Sequence, residues 1–235
     1  ASEQQTKENT MRLTLLALTL ALAVSGVQAR AENGKDISHV NGGITAEAGK
    51  VYGDLDTVNG GISVQRGAVA DDVETVNGGI TLDDDAQVGA VETVNGGIGA
   101  GERVKVARGA ETVNGGIHFG AGSSVGGSVG TVNGGISLKQ TVIGGNIETV
   151  GGDITLEDKS AVRGDILVEK PQGWGMSWGK QRIPRVIVGP GSVVDGELRF
   201  EREVELFVHP SARIGKVTGA TAQPYSDKLP PRRSK

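Results

Sequence analysis

The sequence predicts an all-β fold, a single-stranded parallel β-helix (β-solenoid) with triangular rungs of about 18 residues. Three observations predict it. The hexad Thr-Val-Asn-Gly-Gly-Ile occurs five times unchanged, at 57–62, 75–80, 93–98, 112–117 and 131–136, and a sixth copy at 39–44 alters only the Thr. The hexad asparagines Asn41, Asn59, Asn77, Asn95, Asn114 and Asn133 follow one another at steps of 18, 18, 18, 19 and 19 residues. Gly supplies 39 of 235 residues, and aromatics only 3 %. A chain so poor in large rings needs small aliphatic layers stacked in repeats, each burying its apolar side against its neighbours.

The first element is an export signal. Met11-Arg12 opens a basic start, residues 13–24 are an apolar run interrupted only by Thr, and residues 25–29 supply a cleavage site after Ala29. The run is shorter than the ~20 residues that span a bilayer, so residues 1–29 read as an extension plus signal peptide. The mature chain is expected in the periplasm or at the cell surface, with no transmembrane segment. Residues 1–10 precede Met11 and are left out of the fold reading.

The solenoid is expected over residues 30–217. One unit, 73–90, divides into three hexads, each a short strand and a corner. Aliphatics recur six apart at Val76, Leu82, Val88 and Val94, with a second track at Ile80 and Ala86. Ile80 and Leu82 are two apart, the strand period. Asn-Gly also signals a two-residue hairpin, but hairpins want similar strands on both sides of the turn, and this sequence translates by 18. At the Asn-Gly-Gly corner, Gly is expected to supply positive φ, and the six asparagines to stack as a ladder of side-chain amides. With Val58 pointing in, Thr57 and Asn59 would point out, giving a flat polar face of Thr and Asn. The 19-residue rungs are expected to carry their extra residue at a different corner.

Beyond 137 the repeat loosens. Residues 171–185, with Pro171, Pro184, Trp174 and Trp178, read as a loop extruded from the solenoid. Rungs resume at 186. Residues 218–235 read as a flexible basic tail that caps the last rung.

The segments Val142-Ile-Gly-Gly-Asn-Ile147, Val150-Gly-Gly-Asp-Ile-Thr-Leu156 and Val162-Arg-Gly-Asp-Ile-Leu-Val168 resemble the rungs of bactofilins, bacterial polymer-forming proteins with a triangular β-helix core. The resemblance covers roughly 40–217. It implies a right-handed solenoid, end-to-end polymerisation and no catalysis. Bactofilins are cytoplasmic, whereas this chain carries a signal, and its strict hexad is closer to secreted solenoids described as adhesins.

Composition narrows the chemistry. Absence of Cys removes disulfides, thiolate metal sites and cysteine nucleophiles. A net charge of −4 does not recruit nucleic acid. His39, His118 and His209 are isolated in sequence. Asp83-Asp84-Asp85 occurs in one rung only, where a repeat calcium site would need Asp in every rung. The acids Asp71, Asp72, Glu74, Glu92, Glu102 and Glu111 appear scattered, with no acid–base pair singled out. No catalytic residue, metal or cofactor is expected. The expected function is a non-enzymatic envelope protein that assembles with copies of itself, as an end-to-end or lateral oligomer. The alternative is an adhesin or glycan-binding module using Trp174, Trp178, Lys180 and Arg182 of the loop, or the Thr/Asn face.

Overall fold

The computed structural model describes residues 34–171 and 182–226. The export signal, Trp174, Trp178 and Lys180 lie outside the described residues. Among the described residues there is no helix, and so none long and apolar enough to cross a membrane.

The chain winds as a parallel β-solenoid of about ten turns. The described strands form three parallel sheets, two of ten strands and one of seven. One rung shows the plan. Val73–Asn77 lies on the first sheet (face A), Ile80–Leu82 on the second (face B) and Gln87–Val88 on the third (face C). Strand lengths are therefore unequal, where the hexad reading made them equal. Register follows the repeat: Asn59 pairs with Asn77, Asn77 with Asn95, and Ile62 with Ile80.

The core is a set of stacked columns. On face B, Ile44, Ile62, Ile80, Ile98, Ile117, Ile136 and Ile154 lie above one another, all buried. Each such side chain contributes about 1.5–3 kcal/mol of hydrophobic stabilisation, but only because the neighbouring rung covers it. Val88, Val106, Val125, Ile143 and Val162 do the same on face C.

Face A reverses the predicted phase. Along Val73–Asn77, Val73 and Thr75 are buried, Glu74 and Val76 are half-buried on the outer side, and Asn77 is exposed. Thr57, Thr75, Thr93, Thr112 and Thr131 are all inside. Each hydroxyl donates to a glycine carbonyl at the corner of the preceding rung, as Thr75 does to Gly60 at 2.8 Å and Thr93 to Gly78 at 2.9 Å. A buried polar group with its hydrogen bond made is tolerated, so Val76 and Val94 leave the core. The flat Thr/Asn face expected from alternation does not exist.

The glycine argument changes as well. Among the hexad glycines only Gly42 has positive φ. From Gly60 onward the first Gly of each pair serves close stacking instead: a β-carbon on Gly78 would overlap the carbonyl group of Gly60 on the rung below. Positive φ occurs at the corner between faces B and C, where Asp85 (63°) and Arg103 (57°) occupy positions filled by Gly49 and Gly67 in earlier rungs.

The first extra residue of the 19-residue rungs enters at the corner between faces C and A, where three residues separate Val106 from Ala110 and two separate Val88 from Val91. The predicted loop leaves the Asn corner, between Ile166–Val168 on face A and Arg185–Val188 on face B, with Arg185 already in the strand. The solenoid also runs past 217. Ala222–Pro224 pairs with Glu205–Val208, so the first part of the expected tail is a rung.

Candidate functional site

Three surfaces gather the polar and charged residues. The first is the Asn corner. Asn59 donates its side-chain amide to Asn41 Oδ1 at 3.1 Å, Asn77 to Asn59 at 3.0 Å, and Asn95 to Asn77 at 2.9 Å. Asn114 and Asn133 continue at 3.0 Å each. All six predicted asparagines thus stand in one hydrogen-bonded line on an exposed edge. Each of the four inner amides both donates and accepts, which a side-chain amide repeated at one register position can do rung after rung.

The second surface is the outer side of face A. Asp56, Glu74, Glu92 and Glu111 are register partners on consecutive strands, so acids that looked scattered in sequence form one column. Burial first, then the neighbouring carboxylates, push Asp56 up to about 6 and Glu74 up to about 7, and burial raises Glu92. Beside this column run Val58, Val76, Val94, Val113, Val132 and Val150, all half-buried, as a ridge of valines. Toward face C, a second ladder escaped the sequence reading. Asp36 Oδ1 accepts the amide of Asp54, Asp54 that of Asp72, and Asp72 that of Ala90, each one rung on. The recurrence of Asp at 18-residue steps was its visible signal.

The third surface is the base of the inserted loop. Of the four predicted loop residues only Arg182 is described, and its Nη2 donates to Asp153 at 2.7 Å. Asp153 also accepts the Arg185 amide at 2.8 Å. Arg185 Nε and Nη2 both donate to Glu205 Oε2, at 2.9 and 2.7 Å, and both side chains are buried. The guanidinium lies 5.0 Å from the Phe207 ring centroid. This pair was missed because nothing in an irregular stretch announces that Arg185 and Glu205 share a register position.

The remaining candidates separate in space. His39 sits on the first rung and His118 on the outer side of face B. His209 touches Ser211 Oγ through Nδ1 at 2.8 Å and meets the Tyr225 ring edge-on. Asp84 accepts the Glu102 amide at 3.0 Å, and Asp85 is held bidentately by Arg103 at 2.7 and 3.0 Å. Among the described residues, no three His, Asp or Glu side chains converge as metal ligands would.

No protein-family model, curated protein or solved structure matches the chain.

Proposed function

We propose that this chain is a non-enzymatic, bactofilin-like structural protein of the cell envelope, exported by its signal, whose solenoids join end to end. The observation that carries this reading is the first rung. Lys35–Asn41 is a seven-residue strand, exposed at nearly every position, and no described strand pairs with its outer edge. Leu55 donates its amide toward the next rung. Ile37 shares its register, so by alternation the amides of Ser38 and Val40 point to the open side. A long unpaired edge templates another strand.

The other end is blunter. Tyr225 donates inward to Val208, so Pro224 faces the edge with which no described strand pairs, where it offers no N–H.

The test is a concentration series by negative-stain electron microscopy and sedimentation velocity on residues 30–235. Filaments that lengthen with concentration and shorten in Ser38→Pro, with the thermal midpoint unchanged, support the reading. Pro224→Ala is expected to lengthen them. Discrete monomers at every concentration refute it.

The adhesin reading keeps the Trp174/Trp178 pair of the inserted loop as its support, while the inward threonines remove the Thr/Asn face. A Trp174→Ala/Trp178→Ala chain that loses glycan or cell-surface binding and assembles normally would favour it.

A further inference from the structure

We infer that face A of one copy docks against face C of a second copy, so that solenoids associate side by side. This goes beyond end-to-end addition and does not depend on it.

Apolar exposure points to these two faces. The exposed large hydrophobics among the described residues are Val40, at 59 %, and Val51 and Val142, at 48 and 40 %. Val40 begins the ridge on face A, and Val51 and Val142 lie on the outer side of face C. Scattered single apolar residues need no explanation, but Val40 belongs to the continuous valine ridge, and Val51 and Val142 flank the Gln87, Lys105 and Ser124 stretch of one outward column on face C.

The shapes complement one another. Face A presents valines standing out in a line. Face C presents a trough of about 500 Å³, floored by Ala107, Gly126 and Gly144 and edged by Gln87, Lys105 and Ser124. Ridge and trough have the same spacing, because both are built from the same rungs, ~4.8 Å apart. On each face the two outward columns lie two residues apart, about 7 Å. With the two solenoid axes antiparallel the facing strands run in the same direction, and a valine seated in the trough brings the acid column against the column that holds Lys105.

Charge selects the pairing. The middle of face A carries Asp56, Glu74, Glu92 and Glu111. The trough carries Lys105 and Arg163, and acids appear only toward its two ends, at Asp71 and Asp195. Face A against face A would set two acid columns together, a repulsive arrangement. Face A against face C sets acid against base. The ridge from Val58 to Val150 is about 24 Å long and the face about 15 Å wide. One contact then buries roughly 700–800 Å² in total, short of the ~1,200 Å² of a stable pair. Each copy owns both faces, so the contact is heterologous and repeats, and its strength comes from many weak contacts together.

The chain has no Cys, so engineered thiols report cleanly. Val76→Cys, Val94→Cys and Val113→Cys chains are each mixed with an Ala107→Cys chain at pH 8 and air-oxidised, since disulfides form only between Cα atoms within about 7 Å. The expected result is a heterodisulfide in at least one mixture, in excess of both homodisulfides and lost when Lys105→Glu is added. Adding Ser38→Pro is expected to leave it intact, so failure of end-to-end growth does not mask it. A dominant Val-position homodisulfide shows face A against face A and overturns the inference. So does the absence of any heterodisulfide from all three mixtures when the variants retain the wild-type thermal midpoint.

Discussion

Replacing Gly78 by Ala tests why the hexad carries two glycines. A β-carbon there would overlap the Gly60 carbonyl and lie 2.9 Å from the Gly61 nitrogen. These are backbone atoms of the rung below, so no side-chain rotation relieves the clash and the rungs must part. Over-packing of this kind costs about 1–3 kcal/mol. Parting them also stretches the Gly60 amide to Asn77 carbonyl bond and the Thr75 hydroxyl to Gly60 carbonyl bond, each worth about 1 kcal/mol. The less flexible unfolded chain returns about 0.4–1 kcal/mol. The net loss is about 3 kcal/mol, a fall of about 6–12 °C in thermal midpoint for a chain of this size. At Gly79 the nearest atom to an added β-carbon is the Gly97 carbonyl oxygen, 3.3 Å away, and the expected loss is under about 1 kcal/mol. Thermal and urea unfolding followed by circular dichroism compares the two. Equal midpoints for Gly78→Ala and Gly79→Ala would refute the stacking argument.

Three further outcomes are expected. Thr93→Val keeps the buried shape but deprives the Gly78 carbonyl of its hydroxyl donor, for a loss of about 1 kcal/mol in urea unfolding; a stabilised variant would show the hydroxyl to be dispensable. The raised pKa values of Asp56, at about 6, and Glu74, at about 7, mean that protonation favours the fold. Their contribution is complete below the ordinary carboxylate range and lost as pH rises through about 6–7. The thermal midpoint should therefore rise from pH 8 to pH 5, less so in Glu74→Gln, and a fall over that interval would contradict the acid column. Arg185→Ala leaves the buried Glu205 carboxylate without its guanidinium and is expected to cost about 3–5 kcal/mol, while Arg185→Met with Glu205→Leu recovers most of it; equal losses in single and double variants would count against the buried pair.

Face A shows where sequence reading stops. Alternation established that Thr75 and Val76 lie on opposite sides of the strand, and hydropathy chose Val for the inside. The choice failed because an inward Thr finds a corner carbonyl at hydrogen-bond distance, and that carbonyl belongs to a residue 15 positions earlier. The asparagine ladder was legible because its partners are copies of itself at one register position. The acid column was legible in the same way, since Asp56, Glu74 and Glu92 each precede a hexad Thr at 18-residue steps, and it is missed when the acids are read along the chain instead of by their place in the repeat.

The sequence by itself determined the period, and with it the architecture: an 18-residue translation of short aliphatic strands closes only by stacking each rung on its copy. The tertiary structure decided which side of each strand faces inward, where the inserted loop leaves the stack and which glycines are indispensable. Those depend on distances between rungs. A hydroxyl's choice of carbonyl or a β-carbon's collision with a backbone is fixed only once the neighbouring rung is in place.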